Sequence, residues 1–336
     1  MRRRALLSAI GMTNSPDIPD TPDIPDVPDV PDVPDTIIDI KDYFTIEALG
    51  DGLTASLSVN DCEYCVDGNG VWKTLEAGVS TEAINIGQTL SFRGNLTSSP
   101  SIGIGTFTIS KNCSVKGNVM SLLFGDDGKY NFSLRGYNYA FYKLFDGQQT
   151  VIDASNLILP ALTLSIYCYA YMFRNTYMTK TPRLPAETLY GNCYMSMFHN
   201  CTKLTTITNL DSTTLANSCY YAMFAGCTSL VEAPELPATT LASYCYCQMF
   251  HSCTSLVTVP ELPSTTLANG CYSAMFYYCS KLNRIKMLAT DISAVDCLYN
   301  WVYGVASTGT FVKHKNMTSL PSGTNGIPNG WTVINN

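Results

Sequence analysis

Apolar positions in the second half of the chain return at a fixed interval. Five cysteines are spaced 26 residues apart, and Met-Phe pairs and two sets of leucines keep the same interval. These positions are Cys193, Cys219, Cys245, Cys271 and Cys297; Met197, Met223, Met249 and Met275; Leu204, Leu230, Leu256 and Leu282; and Leu210, Leu236, Leu262 and Leu288. A period in the twenties is typical of proteins whose repeats stack, because one unit cannot bury its own apolar face.

One copy of the repeat, residues 213–236, shows what each unit is expected to form. Leu215, Cys219 and Met223 lie four residues apart, a spacing that predicts a short amphipathic helix. The following segment from Leu230 to Leu236 predicts a short extended strand. Helix and strand in alternation predict an α/β repeat solenoid over residues 128–300, closed by a C-terminal cap at residues 301–336.

A 19-residue motif recurs within these units. It reads Cys-Tyr-x-x-Met-Phe-x-x-Cys-Thr-Ser-Leu-x-x-x-Pro-Glu-Leu-Pro from Cys219 to Pro237 and again from Cys245 to Pro263. This motif resembles the BspA-like leucine-rich repeats, which occur in surface proteins of gut and oral bacteria and in proteins of their viruses. The resemblance covers about residues 137–300. It implies a fold of the leucine-rich-repeat type and binding to host proteins, matrix or cell-surface glycans, and it supplies no catalytic residues.

The region before the repeats has a different texture. Short runs with alternating polar and apolar residues, such as residues 53–59, 89–92 and 105–109, are separated by turn signals. The sequence Asp67-Gly68-Asn69-Gly70 predicts a β-hairpin turn. Residues 37–127 are therefore expected to form a small all-β, sandwich-like domain.

The N-terminal residues combine a spacer with a candidate anchor. Proline occupies every third position across residues 16–36, which predicts a disordered linker of polyproline II type. Residues 1–15 begin with Met1 and three arginines before a short apolar stretch. We interpret them as an anchoring segment, and the alternative is a signal peptide. The first seven residues look similar to the start of some structural proteins of gut phages.

Composition excludes some classes of partner. The net charge is −7, but seven aspartates lie between Asp17 and Asp35, and the rest of the chain has 20 acidic and 20 basic side chains. This balance argues against a nucleic-acid partner, which needs clustered cations.

The apolar runs and the cysteines narrow the class of protein further. No apolar run approaches the ~18 residues of a membrane span. The 14 cysteines mostly follow the repeat, which favours small buried apolar residues over a disulfide framework.

Candidate chemistry is sparse. The three histidines, His199, His251 and His314, suggest no nucleophile–base pair, so we expect no catalytic residue and no cofactor. Cys245, Cys247, His251 and Cys253 form the densest set of possible zinc ligands. Their spacing matches no paired zinc motif, and we predict packed thiols with no metal site.

The remaining sequence motifs are a cysteine pair and two groups of tyrosines. Cys62 and Cys65 precede a predicted hairpin turn, which favours a strand over a redox motif. Four tyrosines follow the repeat and are expected in the core: Tyr194, Tyr220, Tyr246 and Tyr272. Four others break the pattern and are candidates for an aromatic contact surface: Tyr221, Tyr244, Tyr277 and Tyr278. The sequence by itself assigns no ligand-binding residues.

These features favour a non-enzymatic recognition protein. The leading hypothesis is a phage virion protein, of a tail or fibre, that recognises the bacterial surface and docks on other virion proteins through residues 1–15. One alternative is a secreted or surface-displayed bacterial adhesin that binds host protein or glycan. Another is a purely structural virion component.

Overall fold

The computed structural model describes residues 43–58, 62–94 and 103–336. The chain divides into two compact units, Met1–Ile38 and Asp39–Asn336, and all described residues belong to the second. The predicted anchoring segment 1–15 and the Pro-Asp linker 16–36 lie outside the described residues. The predicted boundaries at 37–127, 128–300 and 301–336 stay predictions.

The front of the second unit contains eight strands in two sheets. They are β1 (Phe44–Ala48), β2 (Ala55–Leu57), β3 (Cys62–Val66), β4 (Lys73–Leu75), β5 (Thr89–Gly94), β6 (Phe107–Ile109), β7 (Cys113–Asn118) and β8 (Val151–Ile158). Six of them form one sheet in the order β4-β3-β5-β1-β7-β8, and β2 pairs with β6. The strands of the expected sandwich-like domain thus belong to a six-stranded mixed sheet and a two-stranded antiparallel sheet. The larger sheet is mixed because β8, which lies beyond the predicted domain, joins β7 in parallel while its other pairs are antiparallel.

The predicted hairpin is confirmed. Strands β3 and β4 pair antiparallel, and the φ angles of Asp67 and Gly68 are 49° and 60°. Two successive left-handed residues give the turn the twist that matches antiparallel strands. The backbone N–H of Asn69 donates to the carbonyl of Val66 at 3.1 Å and closes the turn.

The prediction of an α/β repeat solenoid of the leucine-rich-repeat type is wrong. In the described ranges, α-helix is confined to α1 (Ser121–Phe124), which is followed by the 3-10 helix η1 (Gly125–Tyr130). Where the repeats were expected to be helical, the backbone forms runs of consecutive tight turns, as at residues 217–226.

Backbone geometry explains this correction. The φ angles of Ser218, Ala222 and Gly226 are 54°, 50° and 76°, whereas an α-helix needs φ near −63° at every residue. The N–H of Met223 donates to Tyr220 three residues earlier, while the N–H of Phe224 donates across to Met249 of the next unit. Alternate donors therefore bond within and between units. An α-helix would use them all internally.

In the described chain after β8, the extended segments form regular sheet at the C-terminal end. Strands β9 (Glu261–Leu262), β10 (Arg284–Met287), β11 (Thr310–Lys313) and β12 (Thr332–Asn335) form a parallel sheet in the order β12-β11-β10-β9. Earlier units make isolated parallel bridges instead, such as Leu184 to Leu210 and Glu232 to Thr258. Proline at 182, 234 and 260 removes one donor per unit, which limits the length of each ladder.

The turn runs bury their apolar side chains in columns. Equivalent tyrosines stack from Tyr169 to Tyr272 with ring centroids 5.7 to 6.2 Å apart. Equivalent phenylalanines stack from Phe145 to Phe276 at 5.2 to 5.9 Å. Trp301 ends the tyrosine column at 6.4 Å from Tyr272. The expected burial of the repeat tyrosines is confirmed, and so is that of the cysteines, because all 14 are buried and free.

Candidate binding surface

The left-handed residues of the turn runs carry the outward-facing aromatic side chains. Five tyrosines have φ between 56° and 59°, and each is half-exposed or exposed. They are Tyr139, Tyr167, Tyr171, Tyr244 and Tyr278. The left-handed region costs an L-residue roughly 1–2 kcal/mol, and glycine or asparagine fits it best. Tyrosine is therefore present against the local backbone preference.

Four tyrosines of the first two turn runs form what we call the front tyrosine cluster: Tyr139, Tyr142, Tyr167 and Tyr171. The rings of Tyr139 and Tyr167 are stacked, with centroids 5.1 Å apart and an interplanar angle of 5°. Tyr142 stands edge-on to Tyr139 and Tyr171, at 5.5 Å from each. Such stacked and edge-on pairs are favourable aromatic geometries. The four half-exposed rings thus form one continuous aromatic surface.

Two cations lie among these rings. The Lys143 Nζ is 5.2 Å from the Tyr142 ring centroid and 6.0 Å from that of Tyr171. The Arg174 guanidinium lies 4.8 Å from the Tyr171 centroid and makes two bonds to Asp146, at 2.8 and 2.5 Å. Lys143 makes no ion pair within the described ranges. Lys143 therefore keeps its positive charge without a carboxylate partner among the described residues, whereas the charge of Arg174 is balanced by Asp146.

A second group near the last turn runs, the rear aromatic cluster, contains His251, Tyr277, Tyr278 and Tyr303. His251, Tyr277 and Tyr303 stack in a column at 4.9 and 4.8 Å. Tyr278 packs edge-on to Tyr277 at 4.7 Å and to Tyr303 at 5.4 Å. In the described part of the chain, no lysine or arginine lies over these rings.

The four tyrosines proposed as a contact surface are placed differently. Tyr277 and Tyr278 belong to the rear aromatic cluster. Tyr244 lies apart and is 45% exposed; its ring fills the space beside Gly270, where any Cβ would overlap it. Tyr221 is half-buried, and this burial raises its pKa.

Sequence reasoning missed the front tyrosine cluster. The first turn run has Ala140 and Leu144 where later units have cysteine and methionine, and the tyrosines proposed from the sequence all belong to later units. A usable signal was present, because Tyr139 precedes Ala140 as Tyr167 precedes Cys168. When the units are aligned on their buried columns, Tyr139 and Tyr167 occupy the same left-handed position.

The metal-ligand candidates do not form a site. Cys245 and Cys253 are fully buried, and the Cys253 thiol donates to the Phe224 carbonyl at 3.1 Å. His251 instead faces Tyr277 and contacts the hydroxyl of Ser252 through Nδ1 at 2.9 Å. Across the described residues, no group of three or more His, Cys, Asp or Glu side chains is placed to hold a metal ion.

The other candidate side chains occupy structural positions. Burial lowers the pKa of both His199 and His251. Cys62 and Cys65 lie on strand β3, which confirms the predicted strand. Burial raises the pKa of the Cys62 thiol to about 12, which keeps it protonated and unreactive near neutral pH.

A shallow groove lies beside the six-stranded sheet. It has a volume of about 590 Å³ and is lined by Glu63, Arg93 and Asp126 among others. Arg93 bonds Glu63 at 2.8 Å and Asp126 at 3.2 Å, and its guanidinium lies 4.2 Å from the Trp72 ring. Glu63, Arg93 and Asp126 therefore pair with one another along this groove.

Comparison with known proteins adds no relative. A scan against protein-family models, a search of curated proteins and a search of solved structures each returned no match to the chain. A search of the described residues for a helix long and apolar enough to cross a membrane also found none.

Proposed function

We propose that the protein is a non-enzymatic attachment protein of a phage virion, and that its outward tyrosines contact the bacterial cell surface. The observation that carries the proposal is the placement of tyrosine at left-handed turn positions. The fold does not require tyrosine there, because other units have Asn192 or Gly270 at the same place. Tyrosine is enriched at protein interfaces because its ring is apolar and its hydroxyl is polar.

The virion assignment rests on the sequence. The repeated motif from Cys219 to Pro237 is similar to BspA-like repeats of gut bacteria and their viruses. The basic and apolar segment 1–15 precedes a run of prolines spaced for an extended linker, an order that suits docking at one end and recognition at the other. The partners are thus virion proteins at the N-terminus and a cell-surface protein or glycan at the turn runs.

Whole-cell binding tests the recognition part of the proposal. The fluorescently labelled full-length chain is incubated with a panel of intact gut bacteria. The variant replaces Tyr139 and Tyr167 by Asn and Tyr278 by Gly, since these residues occur at the same positions in other units. Losing aromatic anchors should weaken binding at least about tenfold. The control is Tyr130→Asn, which removes a 68% exposed tyrosine outside the turn runs.

The results separate the alternatives. Recognition is contradicted if no strain binds the native chain, or if the triple variant binds as well as the control. A purely structural virion component then becomes the better proposal.

N-terminal sequencing of the protein from purified particles and from culture medium tests where the protein is located. An intact start in particles supports the virion, and cleavage near Gly11 in medium supports an exported bacterial adhesin.

A further inference from the structure

We propose that the front tyrosine cluster binds a carboxylated sugar unit of an acidic polysaccharide, with Lys143 facing the carboxylate and the tyrosine rings packing on the sugar. This inference rests on the proposed function, because it names the ligand class of the same surface. Three features of the cluster carry it: a cation without a carboxylate partner in the described ranges, an aromatic surface with polar edges, and the choice of tyrosine and lysine at positions that other units fill with asparagine or serine.

The first feature is the charge of Lys143. Arg174 is already bonded twice to Asp146, whereas Lys143 has no carboxylate partner within the described ranges. A carboxylate that reached it would form a charge-assisted hydrogen bond, which is stronger than a neutral one. The ligand is therefore expected to be anionic.

The second feature is the ring surface around that cation. Four rings lie within 6.5 Å of a neighbouring ring in the cluster. A small inorganic anion would not use them, and a purely apolar partner would not need Lys143. A sugar ring has C–H faces that suit aromatic surface and hydroxyls that suit phenolic oxygens. A sugar that also carries a carboxylate satisfies both parts of the cluster.

The third feature is the backbone. Tyr139, Lys143, Tyr167 and Tyr171 have φ of 59°, 58°, 56° and 59°. The next unit places Asn192 and Ser196 at the positions of Tyr167 and Tyr171 and still stacks. Stacking therefore does not require tyrosine or lysine there. Left-handed residues occur in the other turn runs as well, for example at Ser218 and Ala222. What distinguishes this surface is that tyrosine and lysine side chains occupy those positions together.

The test measures binding of the full-length chain to immobilised polygalacturonate, alginate, hyaluronate and polysialic acid. Each polymer is paired with its methyl-esterified form, which keeps the sugars and removes the charge. We expect at least one acidic polymer to bind ten times more tightly than its ester. Raising NaCl from 50 to 500 mM should weaken that binding, because salt screens an exposed charge.

Three variants test the residues. Lys143→Asn removes the charge with a residue that suits positive φ, as Asn300 does in the last turn run, and should weaken binding about tenfold or more. Lys143→Arg keeps the charge and should stay within about threefold of the native affinity, since a cation remains to bond the carboxylate. The matched control is Lys129→Asn, which removes a lysine 4.9 Å from the Tyr130 ring and should leave binding unchanged.

The outcomes distinguish this inference from the proposed function. If cells are bound but no acidic polymer exceeds its ester, or if Lys143→Asn binds like Lys129→Asn, the inference is overturned and attachment stands. Equal competition by polyglutamate, which has no sugar rings, also overturns it. If neither cells nor polymers bind, both fail. Binding to each acidic polymer is compared with binding to its methyl ester using only the native chain. This comparison therefore remains decisive even if a variant misfolds.

Discussion

At the scale of single residues, the second cysteine of each unit acts as a hydrogen-bond donor inside the core. The thiols of Cys227, Cys253 and Cys279 donate to the phenylalanine carbonyl of the preceding unit at 3.0 to 3.1 Å. Thr176 occupies the same position in an earlier unit, and its hydroxyl donates to the Phe173 carbonyl within its own unit at 2.9 Å. The position therefore requires a small buried donor, for which cysteine or a hydroxyl residue is suitable.

This role predicts different effects for two substitutions of Cys253. Cys253→Ala removes the donor and leaves a small void, so the free energy of unfolding should fall by about 1–2 kcal/mol. Cys253→Ser keeps a donor for the Phe224 carbonyl and should lose less than half as much. Urea unfolding in reducing buffer, followed by far-UV circular dichroism, measures both. Equal losses for the two variants would show that the donor is unimportant.

At the scale of the element, a four-residue period has two structural solutions. An α-helix brings every fourth side chain to one face, and so does a run of turns with a left-handed residue at every fourth position. Met197, Tyr220 and similar apolar residues fit both. The turn run differs in leaving alternate N–H groups for the next unit, as at Phe198 and Phe224. Periodicity cannot distinguish the two because it reports side-chain direction only.

The sign of an alanine-to-glycine substitution distinguishes turn from helix. Ala274 has φ of 50°, so Ala274→Gly relieves backbone strain and should stabilise the protein by about 0.5–1 kcal/mol. In a helix the same change would destabilise by a similar amount. The control is Ala268→Gly, outside the left-handed positions, which should destabilise. Thermal melting measures all three proteins, and a lower melting temperature for Ala274→Gly would contradict the turn run.

At the scale of the whole molecule, the stack buries columns of groups that must stay uncharged. Burial raises the pKa of Cys201 and Cys253 to about 12, and it raises the pKa of Tyr194 and Tyr246 well above the usual value. Burial favours the neutral form because the interior solvates charge poorly. Each added unit extends the core and also adds ionisable groups to it.

These shifts predict unfolding in alkali. The thiol pKa is higher in the folded state than its ordinary value of 9.0, so the unfolded state releases protons first as the pH rises. The stability contributed by burial of the neutral thiols and phenols should be complete below about pH 9 and lost between pH 9 and 12. Circular dichroism and phenolate absorbance at 295 nm, recorded together, should change cooperatively. Titration of the buried tyrosines near pH 10 with unchanged circular dichroism would contradict this.

The sequence by itself determined the features that depend on local or repeated pattern. The hairpin at Asp67–Gly70 follows from residues that tolerate positive φ. The buried columns, such as Tyr194 with Tyr220, follow from the 26-residue period, because equivalent residues in stacked units share one environment. The strand position of Cys62 and the burial of the cysteines also needed no tertiary information.

Only the tertiary structure decided the backbone of the repeats and the composition of the candidate site. Whether the N–H of Phe224 bonds within its own unit or to the next depends on the neighbouring unit, which no window of sequence contains. The grouping of Tyr139, Lys143 and Tyr171 likewise depends on how successive turn runs align. Local pattern specifies which side of the chain an apolar residue faces; hydrogen-bond partners and clusters of side chains arise from residues distant in sequence.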